Sequence, residues 1–338
     1  MDLMEDMRGR ARANVQRVAF FEGENPTMIR AVAELAGQGL AACVVVGDAE
    51  AVRHNAEAQG VSLEGVELVD LVDAEANEAF AQRYEALPSC PWKPKGVRRR
   101  VARPMERALM MQALGDVDIT FGGIDCPTGD VILGGQTIVG LADGIDTVSS
   151  MGIFDIPGYE GPDGQLLGFG DSAVCQDPTP EQEASIAIAA CETWEALTGR
   201  EARCALLSFS TDGSGAGDMV QKVRDARDIA NQRRPDLKID GEFQLDAALR
   251  PAVAAHKVHR QSDVAGRANV IIWPDLNVGN VGVKLVQMFG HANAYGPMLQ
   301  GFKKVVCDCS RSAPVSEIVG NVVMSCVRAQ ALAARGEK

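Results

Sequence analysis

The sequence lacks several things, and each absence narrows what the chain can be. No apolar run approaches the roughly 20 residues that a helix needs to cross a bilayer, so a helical membrane span is not expected. The opening stretch, MDLMEDMRGRARANVQRVAFFEG, is charged and amphipathic and has no apolar core of the kind that leader peptides carry. A cytoplasmic protein is the expectation. Nine cysteines are present, but no repeated CxxC pairs; Cys307 and Cys309 form one CxC with no histidine close in sequence. Scattered reduced thiols are expected, and no metal site. Positive charge is also short, with 33 Lys and Arg against 46 Asp and Glu and a net charge of -13. Nucleic acid and anionic membrane surfaces are therefore not expected partners. A small anionic ligand is still admissible, because an arginine cluster or a helix N-terminus can hold phosphate inside an acidic protein. Internal repeats and low-complexity stretches are missing too.

What is present reads as a globular chain. At 338 residues it exceeds one typical core, so two domains are expected. RVAFFEG (17–23) is a short strand-like run, and NPTMIRAVAELAGQGL follows as a helix. Asn25 or Thr27 can cap that helix, Pro26 suits its first turn, and Gly37 or Gly39 its end. ACVVVGD (42–48), AEAVRHNAEAQG and VELVDLVD continue as strand, helix and strand. This alternation predicts a parallel sheet. Residues 87–104, with four prolines and many cations, predict an irregular basic excursion. The pattern changes near Thr147, after which PEQEASIAIAACETWEALTG (180–199) is a strongly periodic helix. Each of CALLSFST, KIDGEFQLDAAL and NVIIWPD carries the alternation on.

Three strand-end segments draw attention. KVVCDCSRSAPVSEIVGNVVMSCV (304–327) places Ser310, Arg311 and Glu317 between an apolar strand and a helix opened by Pro314. Val315, Ile318, Val319, Val322, Val323 and Cys326 recur at helical spacing. Free backbone N–H groups, the helix dipole and a guanidinium would converge there on an anion. The plainer alternative is a carboxylate favouring a helix start beside a surface ion pair. SFSTDGSGAGD (208–218) sets hydroxyls and glycines directly after a buried strand, where ligands collect in open α/β sheets. No lysine follows the glycines at P-loop spacing, so this is not a nucleoside triphosphate loop. WPDLNVGNVGVKL (273–285) predicts a strand, a glycine turn and a helix, with Asn277, Asn280 and Lys284 clustered.

LSFSTDGSGAGDMVQKVRDA, DGEFQLDAAL, VAGRANVIIWPDLNVGNVGVKLVQ, GPMLQGFKKVVCDCSR and EIVGNVV resemble successive blocks of the phosphate acetyltransferase and phosphate butyryltransferase family. FFEGE, GDVDITFGG and DSAVCQDPTPEQEASIAIAACETW resemble its other landmarks, in order along nearly the whole chain. The resemblance implies acyl exchange between coenzyme A and phosphate, with no metal in the chemical step. It also implies an α/β fold of two domains with mainly parallel sheets separated by a cleft, related in architecture to isocitrate and isopropylmalate dehydrogenases. The domains expected are 1–146 with 300–338, and 147–299, in a homodimer. Ser310 and Arg311 match the family's acyl-phosphate-binding pair. Its usual aspartate, taken as the base toward the thiol, is Glu317 here. Thr128, Ser208, Thr211, Asn280, Lys284, Gln300 and Gly301 are further acyl-phosphate candidates on this likeness.

The chain also departs from the family. GGIDCPTGDVILGGQ (122–136) has Cys126 where a histidine is common and Leu133 where an arginine associated with coenzyme A stands. Trp92 takes the place of a second such arginine. Lys95, Arg98 and Arg99, with Arg100 and Arg103, are the candidate replacements, and Cys126 lies in the same expected cofactor region. Changes at Cys126, Leu133, Gly134 and Gly135 could open an acyl pocket to propionyl or butyryl chains. A degenerate paralogue that only binds coenzyme A or acyl phosphate is the non-enzyme alternative. A dicarboxylate dehydrogenase would require carboxylates placed for a divalent metal, and no such constellation is visible.

Overall fold

The computed structural model describes residues 2–336, which form two compact units: residues 2–140 with 302–336, and residues 141–301. The chain opens with α1 (Leu3–Ala13), capped by Asp2, and β1 (Arg17–Phe20). Next come α2 (Pro26–Gly37), β2 (Ala42–Gly47), α3 (Ala49–Gln59), β3 (Glu67–Asp70) and α4 (Ala74–Glu85). Asn25 is the cap of α2, its side-chain oxygen accepting from the N–H groups of Thr27 and Met28, and Pro26 occupies the first turn. Asp48 and Asp73 cap α3 and α4 in the same way. The basic excursion is more ordered than its prolines suggest. It holds α5 (Pro94–Arg98) and leads into α6 (Pro104–Leu114), because Pro94 and Pro104 each start a helix instead of breaking one. β4 (Ile119–Gly122) and α7 (Thr128–Ile138) complete this stretch.

The second unit starts with β5 (Ser149–Asp155), β6 (Leu166–Gly170) and α8 (Pro180–Thr198). Thr179 and Gln182 close a capping box on α8, and Gly199 ends it in the left-handed region. β7 (Arg203–Leu207), α9 (Asp218–Arg233), β8 (Lys238–Phe243), α10 (Leu245–Leu249), α11 (Pro251–Lys257) and β9 (Val270–Ile272) follow. α12 (Leu276–Gly290) and β10 (Asn293–Gln300) end this unit. The chain then returns to the first unit as β11 (Val305–Asp308) and α13 (Val315–Ala334).

The first unit's sheet has the order β11-β4-β1-β2-β3, parallel throughout. α13 packs on α1, α2, β4 and β11. The apolar stripe read from the sequence is its buried face: Ile318, Val319, Val322, Val323 and Cys326 are all fully buried. Each such valine or isoleucine side chain removed from water stabilises the fold by about 1.5–3 kcal/mol.

The second sheet runs β10-β5-β6-β9-β7-β8, with β5 antiparallel to both its neighbours and the rest parallel. One of its cores stacks Phe169 on Trp273 at 5.3 Å, with Phe154 edge-on to Phe169. The glycine turn expected over 273–285 is instead helix, for Gly279 and Gly282 lie within α12. A Cβ on Gly282 would come within 2.8 Å of the Trp273 ring, and one on Gly279 within 2.4 Å of the Asp171 carbonyl. These glycines serve close packing of a helix, not a turn.

Candidate active site

In the first unit the site grows from three adjacent parallel strands. β1, β4 and β11 end side by side, and each hands its C-terminal loop to the same edge of the sheet. That edge is where ligands gather in open α/β sheets. After β11 come Ser310 and Arg311, both exposed, and then α13. The Ser310 hydroxyl lies 3.2 Å from that of Ser312 and accepts weakly from the Ser312 N–H. Arg311 has no hydrogen bond or ion pair to any described residue, so the surface-pair alternative finds no support. Pro314 is the residue at the cap of α13, one position earlier than expected. No side chain caps the helix, which leaves its first N–H groups open to an anion. Glu317 sits in the first turn, and partial loss of solvent pushes its carboxyl above the ordinary glutamate value.

After β4, Thr128 opens α7 and donates to Asp308, the last residue of β11, at 2.5 Å. Burial raises the Asp308 carboxyl, and the Thr128 hydrogen bond only partly opposes this. Between β4 and Thr128, the backbone N–H groups of Gly123, Ile124, Asp125 and Cys126 all donate to the Glu22 carboxylate, at 2.7–3.0 Å. Glu22 follows β1, so one side chain ties the ends of two strands. The thiols of this region are not poised for reaction. Burial and then the nearby Glu22, Asp130, Glu106 and Asp308 charges push Cys126 up to about 11, and burial raises buried Cys309 as well.

The expected cofactor cations divide into two groups. Arg98 forks onto Glu78 and also pairs with Glu85, so its donors are already engaged. Arg100 lies over the Trp92 ring at 4.3 Å and donates to the Gly96 carbonyl, and Arg103 pairs with Glu106. Lys95 and Arg99 are exposed and have no partner among the described residues. Gly134 and Gly135 do not widen a pocket: a Cβ on them would come within 2.8 Å of Leu109 and 2.7 Å of Phe302. Leu133 between the helix's neighbours is 64% exposed.

In the second unit the loop after β7 is bound internally. Ser210 donates to Glu242 at 2.8 Å, Gly213 N–H to the same carboxylate at 3.0 Å, and Arg224 forks onto both its oxygens. Burial alone would raise the Glu242 carboxyl, but these bonds outweigh it and hold it at about 2. Ser208 accepts from the Ser210 N–H, and buried Thr211 exchanges hydrogen bonds with Gln244. Gln300 is not presented to a ligand. It is 1% exposed, accepts from Thr193, and donates to Ser149 and the Ile186 carbonyl. Gly301 is required by its backbone, at φ 99° and with the Thr147 carbonyl 2.7 Å from any Cβ. Asn280 donates to the Ser172 carbonyl at 3.3 Å, and Lys284 is exposed without a partner among the described residues.

Sequence reasoning overlooked Glu22, Asp308, Asp171 and Glu242. Asp171 accepts from Ser150 and from the N–H groups of Ala173, Val174 and Cys175. The available signal was a carboxylate at or just past the end of a strand, in FFEG, VCDC, FGDS and GEFQ.

Strand-end loops that hold an unpaired arginine, hydroxyls and an uncapped helix start are those of an α/β protein that handles small anions. The chain matches the phosphate acetyl/butaryl transferase family over residues 2–326 and belongs to that family. It is 38% identical to a phosphate acetyltransferase of Clostridium acetobutylicum, over 98% of this chain and 99% of that one. Its fold is similar to that of a phosphotransacetylase from Streptococcus pyogenes, with a TM-score of 0.87 at 30% identity, covering 97% and 98% of the two chains. EutD phosphotransacetylase from Staphylococcus aureus gives a TM-score of 0.85 at 27% identity, covering 98% of both.

Proposed function

We propose that the protein is a phosphate acetyltransferase, interconverting acetyl-CoA plus phosphate and acetyl phosphate plus CoA. Family membership along nearly the full chain carries this reading, and the unpaired Arg311 beside the open N-terminus of α13 supports it. Coenzyme A is a substrate here, and its thiolate attacks the carbonyl carbon of acetyl phosphate. The new carbon–sulfur bond replaces the carbon–oxygen bond to phosphate, which leaves as inorganic phosphate. Glu317 takes the thiol proton, and its raised affinity for a proton suits it to the task. Arg311, Ser310 and the N–H groups of α13 hold the phosphoryl oxygens and stabilise the charge that builds on them. Lys95 and Arg99 are the cations left open to the coenzyme A phosphates.

The protein acts in the cytoplasm as a homodimer. Val278, Val281, Leu285, Met288 and Phe289 form one exposed apolar stripe on α12, with Phe289 75% exposed. A stripe of this kind favours a self-complementary contact with a second copy.

Thiol release or consumption, measured with acetyl-, propionyl- and butyryl-CoA and phosphate, tests the reading. Turnover with acetyl-CoA is expected to lead the series. A preference for butyryl-CoA would move the assignment to the longer acyl chain, and no turnover with any of them would overturn it.

A further inference from the structure

The Glu22 carboxylate stands in an unusual place. Four consecutive backbone N–H groups, from Gly123 to Cys126, point at its two oxygens, two to each. Converging N–H groups of this kind make an anion-binding concavity, the sort of nest that elsewhere receives phosphate. Here the occupant is part of the chain. The loop's other ties are the Asn25 side chain on Asp125, the Cys126 thiol 3.8 Å from the Met105 sulfur, the buried Ile124 side chain and the packing of Gly123 against β11; none of them supplies an acceptor to these N–H groups. A Cβ on Gly123 would lie 2.8 Å from that of Asp308 and 3.1 Å from the Cys309 nitrogen. Cys309 N–H in turn donates to the Gly122 carbonyl, and Thr128 to Asp308. A shift of the loop therefore reaches the residues just before Ser310 and Arg311.

We infer that Glu22 is a positioning residue for the transferase reaction: a built-in anion that fills the backbone nest of residues 123–126 and so fixes Thr128 and the base of the Ser310–Arg311 loop. The inference rests on the proposed roles of Ser310 and Arg311. It makes the carboxylate itself the necessary feature, separate from the bulk of the side chain. Without it, four donors, three of them partly buried, lose their acceptor, and the loop relaxes toward water. Displacements of about 1 Å at a reacting group can cost about 10²-fold in rate.

The test compares Glu22→Ala and Glu22→Gln with the wild-type protein, with and without formate, a carboxylate small enough for the nest. Hydrogen exchange of the 123–126 amides is read alongside turnover. In Glu22→Ala these amides are expected to exchange faster and kcat to fall by about 10²-fold, with the rest of the fold protected as before. Added formate is expected to restore both protection and turnover in a saturable way, while chloride at equal ionic strength does neither. Glu22→Gln keeps the shape but offers one acceptor oxygen, so it is expected to fall between. Unchanged exchange in Glu22→Ala, or faster exchange that formate leaves untouched, overturns the inference. So does wild-type kcat in a variant whose loop has loosened. Absence of turnover in the wild-type protein would instead strike the functional reading, and the exchange data would still decide the role of Glu22 in the nest.

Discussion

Thr128 Oγ1 donates to Asp308 Oδ2 at 2.5 Å, joining the first turn of α7 to the last residue of β11 across 180 positions of sequence. Asp308 is 9% exposed, so this hydroxyl is a main source of relief for a nearly buried carboxyl. Thr128→Val is expected to lower stability by about 1–3 kcal/mol, the usual cost of a buried polar group that loses its partner. Thr128→Ser, which keeps the hydroxyl, is expected to retain stability. Chemical denaturation of both variants checks this. If Thr128 also contacts acyl phosphate, the valine variant's KM for phosphate rises as well; equal stability of valine and serine variants would remove the structural role.

Arg311 is the opposite case, a guanidinium that the protein itself does not use. Its replacement should therefore leave the fold alone. Arg311→Lys keeps the charge and loses the planar fork, so kcat/KM is expected to drop by about 10²–10³-fold, the range seen when a donor to developing negative charge is removed. A thermal melt overlapping that of the wild type would accompany it. Near-unchanged kinetics would sink the assignment of Arg311 to the phosphoryl group.

Much of this was legible in the sequence because local chemistry and tertiary structure agree. Asn25 and Pro26 announce α2, Thr179 with Gln182 announces α8, and the valine spacing of α13 marks its buried face. The strand-end position of Ser310 and Arg311 was equally plain. What stayed hidden depends on partners far away in sequence. Gly279 and Gly282 look like a turn until Trp273 is seen to pack on them. Gln300 and Arg98 look like ligand groups until Thr193, Ser149, Glu78 and Glu85 are seen to engage them. Glu22 bonds to residues about a hundred positions away, and no spacing rule reaches that far.

The α12 stripe makes a prediction about assembly. Leu285 and Phe289 are four residues apart on one helical face, and both are largely exposed. Replacing both by lysine is expected to shift sedimentation from a dimer to a monomer, without loss of the fold by circular dichroism. Dimers that persist in the double variant would place the contact elsewhere.

Glu183 gives the stability its own pH dependence. It is wholly buried in α8, and neither carboxyl oxygen has a hydrogen-bond partner among the described residues. Burial raises its carboxyl to about 8; the Lys222 charge opposes this, and those of Asp177 and Asp275 add to it. The unfolded chain ionises near 4.5, while the native state holds the proton until about 8. Between those values the native state binds more protons, so stability is fully present below about 4.5 and declines as pH rises toward 8. The loss attributable to this group is on the order of a few kcal/mol. Glu183→Leu is expected to flatten that slope and to raise Tm more at pH 8 than at pH 4.5. Equal shifts at both pH values would show that Glu183 is not the titrating group.

Glu317 is where this chain keeps a carboxylate but lengthens its reach. If it is the base toward the thiol, Glu317→Gln depresses kcat and leaves acyl-phosphate binding largely in place, because Ser310 and Arg311 hold the phosphate. Loss of solvent raises its carboxyl above the usual glutamate value, so the wild-type rate is expected to climb with pH on the acidic side along a limb displaced upward. That limb should vanish in the Gln variant. Glu317→Asp should retain activity, since it brings back the family's usual residue at this position. A helix-start role predicts something else: a stability loss of roughly 0.3–1 kcal/mol from removing a favourable dipole partner, with kcat and its pH profile unmoved. Measuring Tm, kcat and the acidic limb on both variants separates the two roles. Full activity in Glu317→Gln, with the limb intact, would take Glu317 out of the mechanism and leave Asp308, raised by burial and held by Thr128, as the next carboxylate to test.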